Sequence, residues 1–265
     1  MSAPKGMAGV DRRGFFMGAA AASAMAAMPI RSFAQPRSDR PILLRGAYVI
    51  TMGPGGDLPR ADVLVRGGEI AAIGPALTAG DAEIVDAAGQ ILMPGLVDTH
   101  THIWLSQMRG LFGRSAETRY FPLVERLGAA YRAEDMRIGT LFGAAGALQA
   151  GITTTLEYCD NIRMPQDAEA ALAGLVESGI RARFLYAGHD RLAPSEPLDI
   201  DHLARLHDSR ADWAKGAPVE LGLGWRTPTA DAGEAVTALA VEELARVRAL
   251  GLPVSTHISG DRGPD

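Results

Sequence analysis

Cysteine is almost absent from this 265-residue chain. Cys159 stands alone, so no intrachain disulfide can form and the disulfide framework of a small secreted domain is excluded. Stability has to come from packing or from a metal. Runs of lysine or arginine are missing as well. With 26 basic against 31 acidic residues the net charge is −5, and no basic face suits a nucleic acid. A small-molecule partner is the expectation. Long apolar runs are also lacking: GAAAASAMAAMPI (18–30) is too short and too rich in alanine for a membrane span. What is there, 47% hydrophobic and 22% charged residues, suits an ordinary globular chain with one large core or two smaller ones.

That alanine-rich stretch follows DRRGFFM (11–17), with Arg12 and Arg13 side by side, and precedes Ser32-Phe33-Ala34, a small-x-small cleavage site. Together they resemble a twin-arginine signal peptide over residues 1–34, cut after Ala34. The resemblance implies export to the periplasm by the route that carries folded proteins, with no stable membrane anchor after processing. Such a route suits a chain that must load a metal first.

Residues 41–91 read as a small β region. The runs 42–51, 62–65, 69–73, 84–86 and 90–93 are short and apolar or alternating, and Gly67-Gly68 marks a hairpin turn. From 92 to 265 the pattern changes to short β-rich runs alternating with helical ones, the arrangement of βα units on a parallel sheet. Five strands are expected, at 95–100, 152–157, 182–187, 219–225 and 253–257, with helices such as 166–178 and 233–250 closed by Gly179 and Gly251. The fold class expected is α/β, a partial (β/α)8 TIM-like barrel of about five βα units at about 31 residues each.

The chemistry begins in DTHTHIWL (98–105). Residues i and i+2 of a strand face one side, so His100 and His102 point together at the strand's C-terminal end, where barrel enzymes keep their catalytic groups. Two convergent imidazoles there are metal-ligand geometry.

The set PGLVDTHTH, VDAAGQILM before it, GITTTLE after it and WLSQMRGLFG resembles the metal-dependent amidohydrolase superfamily, in the branch of cytosine and adenosine-type deaminases and triazine hydrolases. The resemblance runs from about residue 45 to 257. It implies that the barrel is joined to a small β-sandwich built from both chain ends, that region 41–91 is the N-terminal part of this sandwich, and that His257 in VSTHISG is the third metal-binding histidine. Three imidazoles suit Zn²⁺, with Fe²⁺ also tolerated. Other branches of the superfamily bridge two metals with a carbamylated lysine on strand four; lysine here occurs only at Lys5 and Lys215, outside VELGLGW, so the resemblance implies one divalent ion. The implied function is metal-dependent hydrolysis of non-peptide carbon–nitrogen bonds, with a metal-activated water as nucleophile. Its substrate would be a nitrogen heterocycle or an amidine-like compound.

One departure concerns the acid-base group. Where this branch carries glutamate three residues after the strand-five histidine, the chain has Gly260, and Asp261 next to it is the candidate catalytic carboxylate. Gln107, His189 and Trp104 are candidate substrate-binding residues, with Trp225 and Glu157 as weaker ones. His202 and His207 read as solvated on a surface helix, and Cys159 as a small buried hydrophobe. The resemblance also implies a strand-six histidine and a strand-eight aspartate, for which no residues follow. The sequence therefore reads as a C-terminally truncated enzyme, with an inactive, still metal-binding barrel fragment as the alternative and a homo-oligomer left open.

Overall fold

The computed structural model describes residues 40–229 and 231–257. The signal region 1–34 and Asp261 lie outside these residues.

The first sheet is built around β1 (Ile42–Val49). One edge of β1 pairs antiparallel with β2 (Leu58–Arg66), and β2 in turn with β3 (Glu69–Gly74). Its other edge pairs parallel with β4 (Glu83–Asp86) and β5 (Ile91–Leu92). The β2–β3 turn is Gly67-Gly68, both at positive φ (61° and 83°), the left-handed pair that a tight hairpin requires. Ala47, Val49, Ala61, Val63 and Ala87 form its small core, while Tyr48, Ile84 and Ile91 on other positions stay exposed. Among the described residues this region is one five-stranded sheet, the separate sheet subdomain expected before the barrel.

The second sheet follows the expected order closely. It comprises β6 (Leu96–Thr101), β7 (Ile152–Ile162), β8 (Arg181–Gly188), β9 (Val219–Trp225) and β10 (Val254–Thr256). The order β10-β9-β8-β7-β6 is parallel throughout, a curled half-barrel. Side chains at the two ends of the arc show the curl. In a flat sheet the first and fifth strands would be about 19 Å apart, yet His100 on β6 and His257 just after β10 meet at 3.0 Å.

Helices connect these strands. A short 3₁₀ helix (Ile103–Met108), α1 (Tyr120–Ala130) and α2 (Ala133–Gln149) lie between β6 and β7, and α3 (Pro165–Ser178) follows β7. After β8 come α4 (Ile200–Asp208) and α5 (Arg210–Ala214), and α6 (Glu234–Ala249) joins β9 to β10. The start and stop of α3 are written in its sequence: Asp167 accepts the N–H groups of Arg163 and Met164 at 3.0 and 3.1 Å, and Gly179 ends the helix at φ 76°. Trp104, Leu175, Ile180, Phe184, Tyr186, Leu203 and Leu223 make the main core between sheet and helices. His202 belongs to that core and is not solvated as expected. It sits beside Leu203 and Leu206 on the apolar face of α4 and meets the Tyr186 hydroxyl through Nδ1 at 3.2 Å. Cys159 is fully buried, as its sequence context indicates.

Candidate metal centre

Three imidazoles converge at the C-terminal end of the half-barrel. His100 lies near the end of β6, His102 directly after it, and His257 directly after β10. One nitrogen from each falls within 4.8 Å of the others. The ring centroids are 5.1 Å apart for His100–His102, 4.9 Å for His100–His257 and 5.1 Å for His102–His257. Nitrogens around a tetrahedral Zn²⁺ at 2.0–2.1 Å lie about 3.3 Å from one another, so the spacing and the all-nitrogen donor set fit such an ion. His100 and His257 are exposed and His102 half-buried, which leaves the centre open on one side.

Tyr158 of β7 supports the cluster from within the arc. Its ring stacks on His257 at 4.0 Å and lies 5.6 Å from both other imidazoles. Its hydroxyl donates to the Trp225 carbonyl at 3.2 Å. Room for this ring comes from Gly224: a Cβ there would sit 2.9 Å from Tyr158 Cζ and 2.6 Å from Ala187 Cβ.

Two buried carboxylates of β7 hold the segment that carries the histidine pair. Glu157, fully buried, accepts the N–H of Ile103 at 2.5 Å and of Trp104 at 3.3 Å. Asp160 Oδ1 lies 2.9 Å from His102 Nδ1 and accepts the Trp104 indole N–H at 2.7 Å. Burial pushes the Glu157 carboxyl up to about 8, against the opposing pull of the Ile103 N–H and of His102. Burial also lowers His102, but the hydrogen bond and charge of Asp160, helped by Glu157, outweigh it and leave that imidazole above its ordinary value. His100 is shifted downward by burial and by the neighbouring His102.

The structure brings together the histidines at 100, 102 and 257. It does not bring Trp104 to a pocket: that ring is wholly buried and spends its N–H on Asp160, so it packs under the site and cannot touch substrate. Gln107 is exposed and donates to the Asp135 carbonyl at 2.7 Å, against α2. His189, partly exposed after β8, lines a cavity of about 200 Å³ with Asp160, Asn161, Arg163 and Asp190. Asp160 and Tyr158 are site residues that the sequence did not single out. The strand expected at 152–157 runs on to Ile162, because the polar run EYCDN is buried by the elements around it. No spacing marks either residue, since both are out of step with Glu157 and every position from 157 to 162 is buried.

No protein-family model matches the chain. Among curated proteins, it is 31% identical over 147 residues to a 5'-deoxyadenosine deaminase of Methanosarcina mazei, covering 53% of this chain and 32% of that protein. It is 30% identical over 223 residues to a 5-methylthioadenosine/S-adenosylhomocysteine deaminase of Natronomonas pharaonis, covering 81% and 47%. Among solved structures, a variant of atrazine chlorohydrolase from Arthrobacter aurescens complexed with zinc and atraton superposes with a TM-score of 0.64 at 20% identity, covering 83% of this chain and 53% of that one. The chain thus spans about half or less of the length of these relatives.

Proposed function

We propose that the chain belongs to the metal-dependent amidohydrolase superfamily and supplies the three-histidine part of a site that hydrolyses non-peptide carbon–nitrogen bonds. The observation that carries this reading is the convergence of His100, His102 and His257 from the first and fifth strands of one parallel arc. Relatives named as deaminases, and a zinc-bound triazine-hydrolase neighbour, support it. One divalent ion, Zn²⁺ before Fe²⁺, is held by the three imidazoles. When bound, such an ion supplies the Lewis acidity that lets water act as a nucleophile near neutral pH. The chain's own groups do the rest: Tyr158 keeps His257 in place by stacking, and Glu157 holds the backbone after the histidine pair.

The substrate is a small nitrogen heterocycle or amidine-like compound, entering at the open side of the cluster. His189, after β8, and Gln107 are assigned to binding it from their sequence context. Asp261 is the candidate proton carrier, four residues past the third histidine.

The test is zinc content and ammonia release over a panel of aminopurines, amidines and triazines. The H100A/H102A double variant should purify without stoichiometric zinc, because one imidazole cannot hold it. Zinc retained there would place the metal elsewhere and sink the reading. Zinc in the wild type without ammonia release from any compound would keep the metal site and overturn the hydrolysis of these substrates.

A further inference from the structure

We infer that Asp160 is the positioning residue of this centre: it fixes the tautomer and the rotation of His102, so that Nε2 is the nitrogen turned toward His100 and His257. The inference rests on the metal reading above and adds to it a residue that the sequence did not single out.

The geometry has three parts. First, Asp160 Oδ1 lies 2.9 Å from His102 Nδ1, which makes Nδ1–H the donor to a carboxylate and leaves the Nε2 lone pair for the cluster. Second, the carboxylate is itself held. The same Oδ1 accepts the indole N–H of Trp104 at 2.7 Å, and that ring has no solvent exposure. Third, the backbone N–H of Trp104 is bound by Glu157, on the same strand as Asp160. One strand therefore grips the histidine segment twice, once by its backbone and once by its side chains. A carboxylate placed behind a ligating imidazole orients the ring and raises its basicity, and loss of such a partner weakens metal binding about 10–100-fold.

Zinc affinity, measured by competition with a chromophoric chelator, should fall about 10–100-fold in D160A. D160N keeps an oxygen in the same place and should recover most of that loss. W104F removes the second donor to Asp160 but leaves the carboxylate, so it should weaken zinc less than D160A does, although it also disturbs the core. A merely structural Asp160 predicts instead that affinity tracks the urea midpoint across all three variants. Such tracking, or D160A binding zinc within about twofold of wild type, would overturn the inference. A separate readout uses the metal-free chain: ¹⁵N shifts of His102 should report the Nδ1–H tautomer in wild type and a mixture in D160A. If wild type binds no zinc while His102 shows that tautomer, the metal reading fails and the positioning of His102 stands. A mixed tautomer in wild type overturns the positioning itself.

Discussion

Glu157 is fully buried and has two backbone N–H groups aimed at it. Its carboxyl is raised from 4.5 to about 8 by burial. The folded chain therefore keeps a proton that the unfolded chain gives up above pH 4.5, and the native state binds more protons between 4.5 and about 8. The contribution of this group is full below 4.5 and is lost as pH rises through about 8. Glutamine cannot ionise and keeps an acceptor oxygen. In the presence of a chelator, the stability of wild type relative to E157Q should thus decline steadily from pH 5 to pH 8, as read from urea midpoints; a difference that widens in favour of wild type over that range would show that the carboxylate is charged in the folded chain. At this scale the sequence was readable where spacing carries direction. The His100–His102 pair fixes its own geometry by strand alternation, and the site could be located from it. Asp160 has no such signature, since its partner is 58 residues away and only the pairing of β6 with β7 brings them together. Trp104 was misplaced for a related reason. An aromatic residue two positions past a ligand can face the site or the core, and Asp160 decides for the core.

Among the elements, β9 shows how strand composition shapes the site. Gly222 and Gly224 occupy alternate positions, and a Cβ on either would run into Leu185 or into Ala187 and Tyr158 within 3.0 Å. The side chain missing at Gly224 is the space in which Tyr158 lies under His257. G224A should therefore destabilise the fold by about 1–3 kcal/mol, the usual cost of overpacking, and weaken zinc binding by displacing Tyr158. G146A is the control. A Cβ at that exposed helical position meets nothing within 4 Å, so the change should stabilise by about 0.4–1 kcal/mol and leave zinc unaltered. Equal effects on zinc would mean that Tyr158 does not support His257. Strand β9 was legible to the residue because it is apolar, bounded by turn signals and buried. Helix α2, the longest described at 17 residues, went unmarked in the sequence. Its Gly139 and Gly143 dilute the helical apolar stripe and make sense only in three dimensions: they let the 3₁₀ helix lie so close that a Cβ would be 2.8 Å from the Trp104 carbonyl or 2.1 Å from Ser106 Oγ.

At the scale of the molecule, the division into a β region followed by βα units was legible because hydrophobic periodicity changes near Pro94-Gly95. The pairing order of the strands in the first region was not. Strand runs reveal that segments pair, but only the use of both β1 edges shows that they share one sheet. The arc of the second sheet has a consequence in time. His100 and His257 are 157 residues apart and adjoin only because three intervening strands have already been laid side by side. Contacts of such long sequence separation form slowly, since chain entropy must be lost before they give anything back. An ion joining them is then a clasp fastened last: it cannot nucleate the sheet, and it holds shut an arc that assembled without it. During refolding from urea with zinc and a chromophoric competitor present, metal capture should trail the recovery of far-ultraviolet dichroism. Capture within the dead time would mean that the two ends meet before the strands between them.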